Sequence, residues 1–340
     1  MSCWLPFRRP DVDVARRANE LNEQADKAFN LNELEMALPL YQASLELCQR
    51  SSNWAGVLRV RYAMGGLAFK SGEYGVARTH FEECVKLARK LHVIDGYLAS
   101  LMWLGTTVLT QGDGALAARL GKECLEQARV VKDNLSVAAA HVLVGDAIDT
   151  VDEARSHFKQ ALEIYRREAR MDRVASVLCS IGHYAQPGRD NMEERAALEE
   201  CLVLCRSSDN RELASYALYN LGNVEIFGGN TDVAARLFSE SLAIMIETGD
   251  DRAISYVLDG YAAISLLRGD CAKAARLSGA AESVRTRLGT PIETPRQAEH
   301  DEVAAKMRAS LDPTSFDAEW DAGTGLTVVE AADYALSDGT

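Results

Sequence analysis

Small and apolar residues recur along this chain on a long period. From Ala37, comparable positions fall at Ala77, Ala117, Ala154, Glu194, Ala234 and Ala274, in steps of 40, 40, 37, 40, 40 and 40 residues. Five residues before these anchors stands a turn residue: Asn32, Gly72, Gly112, Gly229 and Gly269. The next residue is often acidic or an amide, as at Glu73, Asp113, Asn230 and Asp270, and such side chains cap helices. Twelve residues before the anchor the residue is small: Ala25, Gly65, Gly105, Gly182, Gly222 and Ala262. The fourth repeat has lost three residues from its turn, and there the small residue is Gly145. Four after the anchor a large residue is common (Tyr41, Phe81, Phe158, Leu198, Phe238). Seven after it the residue is always small: Ser44, Cys84, Cys124, Ala161, Cys201, Ser241 and Ala281.

This pattern predicts pairs of antiparallel helices. Two helices approach closely only where side chains are small, and the large residue fills the space between successive pairs. A single pair cannot bury its apolar face alone, so the pairs must stack. The expected fold is an all-α solenoid of about seven helix pairs. Cys84, Cys124 and Cys201 belong to the small-residue class and read as packing residues rather than redox or metal groups.

A glycine or alanine in the first helix, followed by Ala, Phe and Ala in the second, resembles the tetratricopeptide repeat. The usual period is about 34 residues, so the 40-residue spacing implies longer helices. The resemblance covers residues 15–290, after an N-terminal segment 1–14. Residues 291–340 leave the period and read as C-terminal capping helices. Pro291 and Pro295 interrupt the chain, and a helix is expected from Arg296 to Leu311. Asp312-Pro313 reads as a helix start, and Thr327 to Glu330 as a capping box opening a last helix that ends near Leu336.

The tail carries a second resemblance. The runs Ala275–Glu282, Arg287–Pro291, Phe316–Trp320 and Leu326–Ala332 look like the C-terminal end of large bacterial transcriptional regulators of the LuxR/STAND ATPase type. Those proteins join a DNA-binding domain and an ATPase to a tetratricopeptide sensor. This chain holds no G-x-x-x-x-G-K-[ST] string; the nearest fragment, Phe69-Lys70-Ser71, lacks the glycine. The resemblance therefore implies the sensor part only.

Composition narrows the function classes. A formal charge of −13 repels phosphate backbones, so nucleic acid is not an expected partner; Arg8, Arg9, Arg16 and Arg17 make only a short basic start. No stretch of about 18 apolar residues is present, so no membrane span is expected. A secretory signal is not expected either. The eight cysteines show no paired metal-ligand spacing, which predicts no metal site, no cofactor and a reducing, cytoplasmic setting.

The candidate chemistry lies in the groove. In the tetratricopeptide fold the first helix of each pair lines the concave face. A stripe at spacings of three and four along those helices selects a ligand-binding set: Tyr62, Asp146, His183, Tyr216, Tyr219, Asn223, Tyr256 and Asp259. Asp149 and Cys179 lie on the same stripe. Aromatic residues give area and polar groups give orientation. A clamp for a terminal carboxylate is disfavoured, because Asn220 and Asn223 stand without lysines; the acidic groups suit a cationic or hydrogen-bond-donating ligand. The leading expectation is a sensor or adaptor that takes a peptide, protein or small molecule in its groove. A second is an enzyme in which Asp146 orients His183 for base chemistry. A third is a scaffold that forms homo-oligomers.

Overall fold

The structure, a computed structural model, describes residues 12–337 apart from 149, 187, 189 and 293. Among the described residues there are 17 helices and no strand. Seven antiparallel pairs follow one another: α1 Val12–Asn30 with α2 Leu34–Arg50, α3 Trp54–Lys70 with α4 Tyr74–Leu91, and α5 Ile94–Thr110 with α6 Gly114–Val131. Next come α7 Asn134–Asp146 with α8 Val151–Arg167, and α9 Met171–His183 with α10 Met192–Ser208. The last pairs are α11 Arg211–Phe227 with α12 Thr231–Thr248, and α13 Asp251–Leu267 with α14 Cys271–Leu288. Three further helices, α15 Thr294–Ser310, α16 Pro313–Thr324 and α17 Val328–Leu336, pack on the end of the stack. This is an α-solenoid of the tetratricopeptide type. None of its described helices is long and apolar enough to cross a membrane.

The repeat register is a packing register. All seven anchors are fully buried, Glu194 included. The large residue four positions on lies against the glycine of its own pair, at Phe81 on Gly65, Phe158 on Gly145, Leu198 on Gly182 and Phe238 on Gly222. A Cβ on Gly222 would come within 2.4 Å of the Phe238 ring. The third repeat has Gly121 where the others carry the large residue, and Leu143 from the next pair fills that space against Gly105 and Gly121. Seven after the anchor, small hydroxyls and thiols reach back to the first helix. Ser44 and Ser241 donate to the carbonyls of Ala18 and Ser215 at 2.7 Å, and Cys84 donates to Leu58 at 3.6 Å. Burial pushes the Cys84 and Cys124 thiols up to about 12, so they stay protonated packing groups.

The turn residues all take the left-handed backbone that ends a helix: φ is 62° at Asn32, 75° at Gly72, 85° at Gly112, 79° at Gly229 and 84° at Gly269. The expected caps form in part. Asp113 and Asp270 accept from the backbone of Leu116 and Lys273 at 3.0 Å. Glu73 and Asn230 do not cap; Asn230 instead donates to Glu225 at 2.8 Å. The three-residue deletion shortens α7 to 13 residues.

The C-terminal helices begin within two residues of their expected places. Asp312 caps α16, and Thr327 and Glu330 form the capping box of α17. α16 lies almost backbone to backbone on α14: a Cβ on Gly279 would meet the carbonyl oxygen of Trp320 at 2.4 Å.

The stack curves until its end meets the turns of its second and third pairs. Leu288, at the end of α14, lies 3.0 Å from the Cβ position of Gly72, and Pro291 lies 2.6 Å from that of Gly112. Those glycines are the turns of the second and third pairs. The concave groove is thereby narrowed into a partly open central cavity.

Candidate functional site

The cavity has a volume of about 490 Å³ and is walled by every pair from the second to the seventh, with Ile292, His300 and Val303 of the C-terminal segment completing it. Of the residues expected in the groove, Asp146, His183, Tyr216, Tyr219, Asn223, Tyr256 and Asp259 stand in its wall. Tyr62 does not. Its ring packs edge-on against Phe81 with centroids 5.9 Å apart, so it belongs to the core between the second and third pairs. Asp149 and Arg8 and Arg9 lie outside the described residues.

The sixth and seventh pairs build one part of the wall from hydrogen-bonded and stacked side chains. Asp250 caps α13 by accepting from the Ala253 backbone at 3.0 Å, and its second oxygen accepts from the Tyr216 hydroxyl at 2.5 Å. Burial, with Asp250 beside it, holds the Tyr216 hydroxyl well above the usual phenol range, although Arg252 pulls it down. The Tyr219 ring stacks between Phe238 and Tyr256, at 5.8 Å and 6.1 Å. Arg252 lies 5.5 Å over the Tyr256 ring and donates to its hydroxyl at 3.2 Å. These contacts fix an aromatic shelf on one side of the cavity.

Below the shelf lies a buried ion pair. Arg285 is 3% exposed and donates to Asp259 at 2.5 Å and to Glu282 at 3.2 Å. Burial raises the pKa of Asp259; the Arg285 charge and then His300 act against it. One oxygen of Asp259, the amide nitrogen of Asn223 and Nδ1 of His300 are buried without a hydrogen-bond partner.

Next along the wall the first helices of the fourth and fifth pairs end at Asp146 and His183. The Tyr184 hydroxyl donates to the carbonyls of Gly145 and Ile148, at 2.8 Å and 3.1 Å, and ties these two ends together. Cys179 also lines the wall and accepts from Asn220 at 3.7 Å. Among the described residues no group of three or more His, Cys, Asp or Glu has a geometry that holds a metal.

Arg252, Arg285 and His300 were not selected by the stripe. Arg252 stands at the start of its helix, before the stripe begins. Arg285 comes from a second helix and reaches under its neighbour. His300 belongs to α15, outside the period.

Comparison with known proteins agrees with this architecture. Residues 19–90 match the tetratricopeptide repeat family. No curated protein matches the sequence significantly. Among solved structures, the apo form of RapI superposes with a TM-score of 0.64 at 11% identity, over 80% of this chain and 98% of that one. A Rap protein complexed with competence and sporulation factor superposes with a TM-score of 0.53 at 14% identity, over 92% of this chain and 99% of that one. The fold is thus shared with Rap proteins, and the first two helix pairs carry the tetratricopeptide repeat in sequence as well as in shape.

Proposed function

We propose that this chain is a ligand-binding module, a sensor or adaptor descended from the sensor part of a regulator, and that its ligand sits in the central cavity. The observation that carries this reading is the cavity itself: about 490 Å³, within the range of roughly 300–1,000 Å³ of small-ligand sites, with an aromatic shelf beside unpartnered polar atoms. The narrowing of the groove by Leu288 and Pro291 favours a small molecule or a short peptide end over a long extended peptide. The likeness to a Rap protein solved in complex with competence and sporulation factor supports a binding role for this scaffold. Its proposed setting is the cytoplasm, where its cysteines, seven of them free thiols in the structure, stay reduced.

The mechanism of such a sensor is a change in superhelical pitch when the cavity fills, passed to the surface through the contacts of the C-terminal segment. Native mass spectrometry of the chain purified gently from its source cells tests this. The expected result is an added small mass that is lost in Tyr219→Ala and Tyr256→Ala. A ligand that stays bound in both variants would overturn the assignment of the cavity.

A further inference from the structure

Two unmade hydrogen bonds lie in the cavity wall. The Tyr219 and Tyr256 rings stack at 6.1 Å, which aligns α11 with α13. These are the first helices of neighbouring pairs, so they run in the same direction, and they touch. One helical turn further along each lies Asn223, four after Tyr219, and Asp259, three after Tyr256; residues at these spacings share a face. The register that stacks the tyrosines sets Asn223 and Asp259 one turn further along the same wall, and both line the cavity.

The two do not bond to each other. Asn223 is 4% exposed, and its Nδ2 has no hydrogen-bond partner. Asp259 gives Oδ2 to Arg285 at 2.5 Å, which fixes the carboxylate, and its Oδ1 has no partner. A buried donor or acceptor left unmade costs about 1–3 kcal/mol. A free donor and a free acceptor in one cavity wall that also carries an aromatic shelf form the complement of one particular ligand edge.

We propose that the cavity binds a small planar ligand whose edge carries a hydrogen-bond acceptor next to an N–H, as in an aromatic primary carboxamide. Asn223 Nδ2 donates to the ligand's acceptor, Asp259 Oδ1 accepts from its N–H, and the ring lies against Tyr219 and Tyr256. This rests on the cavity reading above and specifies the chemistry that fills it. A carboxylate of the same shape is rejected, because it brings a second acceptor and a negative charge against Asp259.

The probes are 2-naphthamide and its isostere 2-naphthoate, both fluorescent, titrated into the full chain at pH 8. The expected result is saturable binding of the amide and binding of the carboxylate weaker by about tenfold or more. Asn223→Leu should weaken the amide by about tenfold without lowering the melting temperature, because the Nδ2 group it removes has no partner in the protein. Asp259→Asn should erase most of the preference for amide over carboxylate. Equal binding of the two probes, no saturable binding of the amide, or amide affinity unchanged in Asn223→Leu overturns the proposal. A copurifying ligand lost in Tyr219→Ala but indifferent to Asn223→Leu overturns the edge and leaves the cavity reading intact. Indifference to both substitutions overturns both.

Discussion

The Phe238 ring occupies the place where a side chain on Gly222 would begin, and it touches Gly260 of the following pair as closely, at 2.6 Å from its Cβ position. One aromatic residue thus sets two distances at once, within its own pair and to the next. Gly222→Ala would drive a methyl group into a fully buried ring that has glycine on both sides. The expected cost is about 2–3 kcal/mol, typical of overpacking, read as a lowered denaturation midpoint. Gly75→Ala, whose added carbon would meet nothing within 4 Å, should leave stability unchanged or raise it slightly.

Glu194 is a carboxylate at an anchor where six other repeats have alanine. It is fully buried, pairs with Arg155, and leaves its second oxygen without a partner. Arg155→Ala should cost about 2–3 kcal/mol, because it strands that charge, whereas the double change Glu194→Ala with Arg155→Met should be as stable as the parent or more so. Thermal melts of the three proteins check the order.

His141 and His157 face each other with Nδ1 atoms 2.8 Å apart, one ring donating to the other. Burial, and then the charge a protonated His157 or Arg129 would present, push His141 down to about 4; burial also lowers His157. The unfolded chain takes up the His141 proton near pH 6.5 and the folded chain only near pH 4. Stability is therefore expected to fall as pH drops through that window, by about 2–3 kcal/mol from His141. Urea titrations between pH 4 and 7.5 should show this slope, and His141→Leu should flatten it.

Much of this was legible in the sequence because it repeats. A residue that packs the same way seven times leaves a period, and Ala37, Phe81 and Ser241 are placed by that period alone. The stripe found the cavity wall for the same reason, since one face of each first helix turns inward. It misplaced Tyr62 because an aromatic at a groove position is free to turn back onto its own pair, and Phe81 draws it there. It passed over Arg285 because a long side chain from a second helix reaches a site its backbone does not face. Closure was not legible at all: Leu288 and Gly72 belong to different repeats and obey no spacing.

Leu288→Asp places a charge against the turn of the second pair. The half-buried leucine contributes on the order of 1 kcal/mol, so the fold should survive while the end of the stack lifts away. Small-angle scattering should show a larger radius of gyration, and any cavity ligand should exchange faster. An unchanged scattering profile would show that the remaining contacts of the C-terminal segment hold the groove narrowed without it.

Solenoids with free ends behave as chains of neighbours, in which each unit feels only the next and the ends fray first. A contact between Leu288 and Gly72, about 200 residues apart in sequence, removes that independence. The loop between them must be ordered before the contact forms, which raises the contact order and slows folding relative to an open array. In return the second and seventh pairs are no longer frayed ends, and only the first pair stays outside the closed part. Such a molecule melts as one cooperative body, and hydrogen exchange in its first and last closed pairs should approach that of its middle.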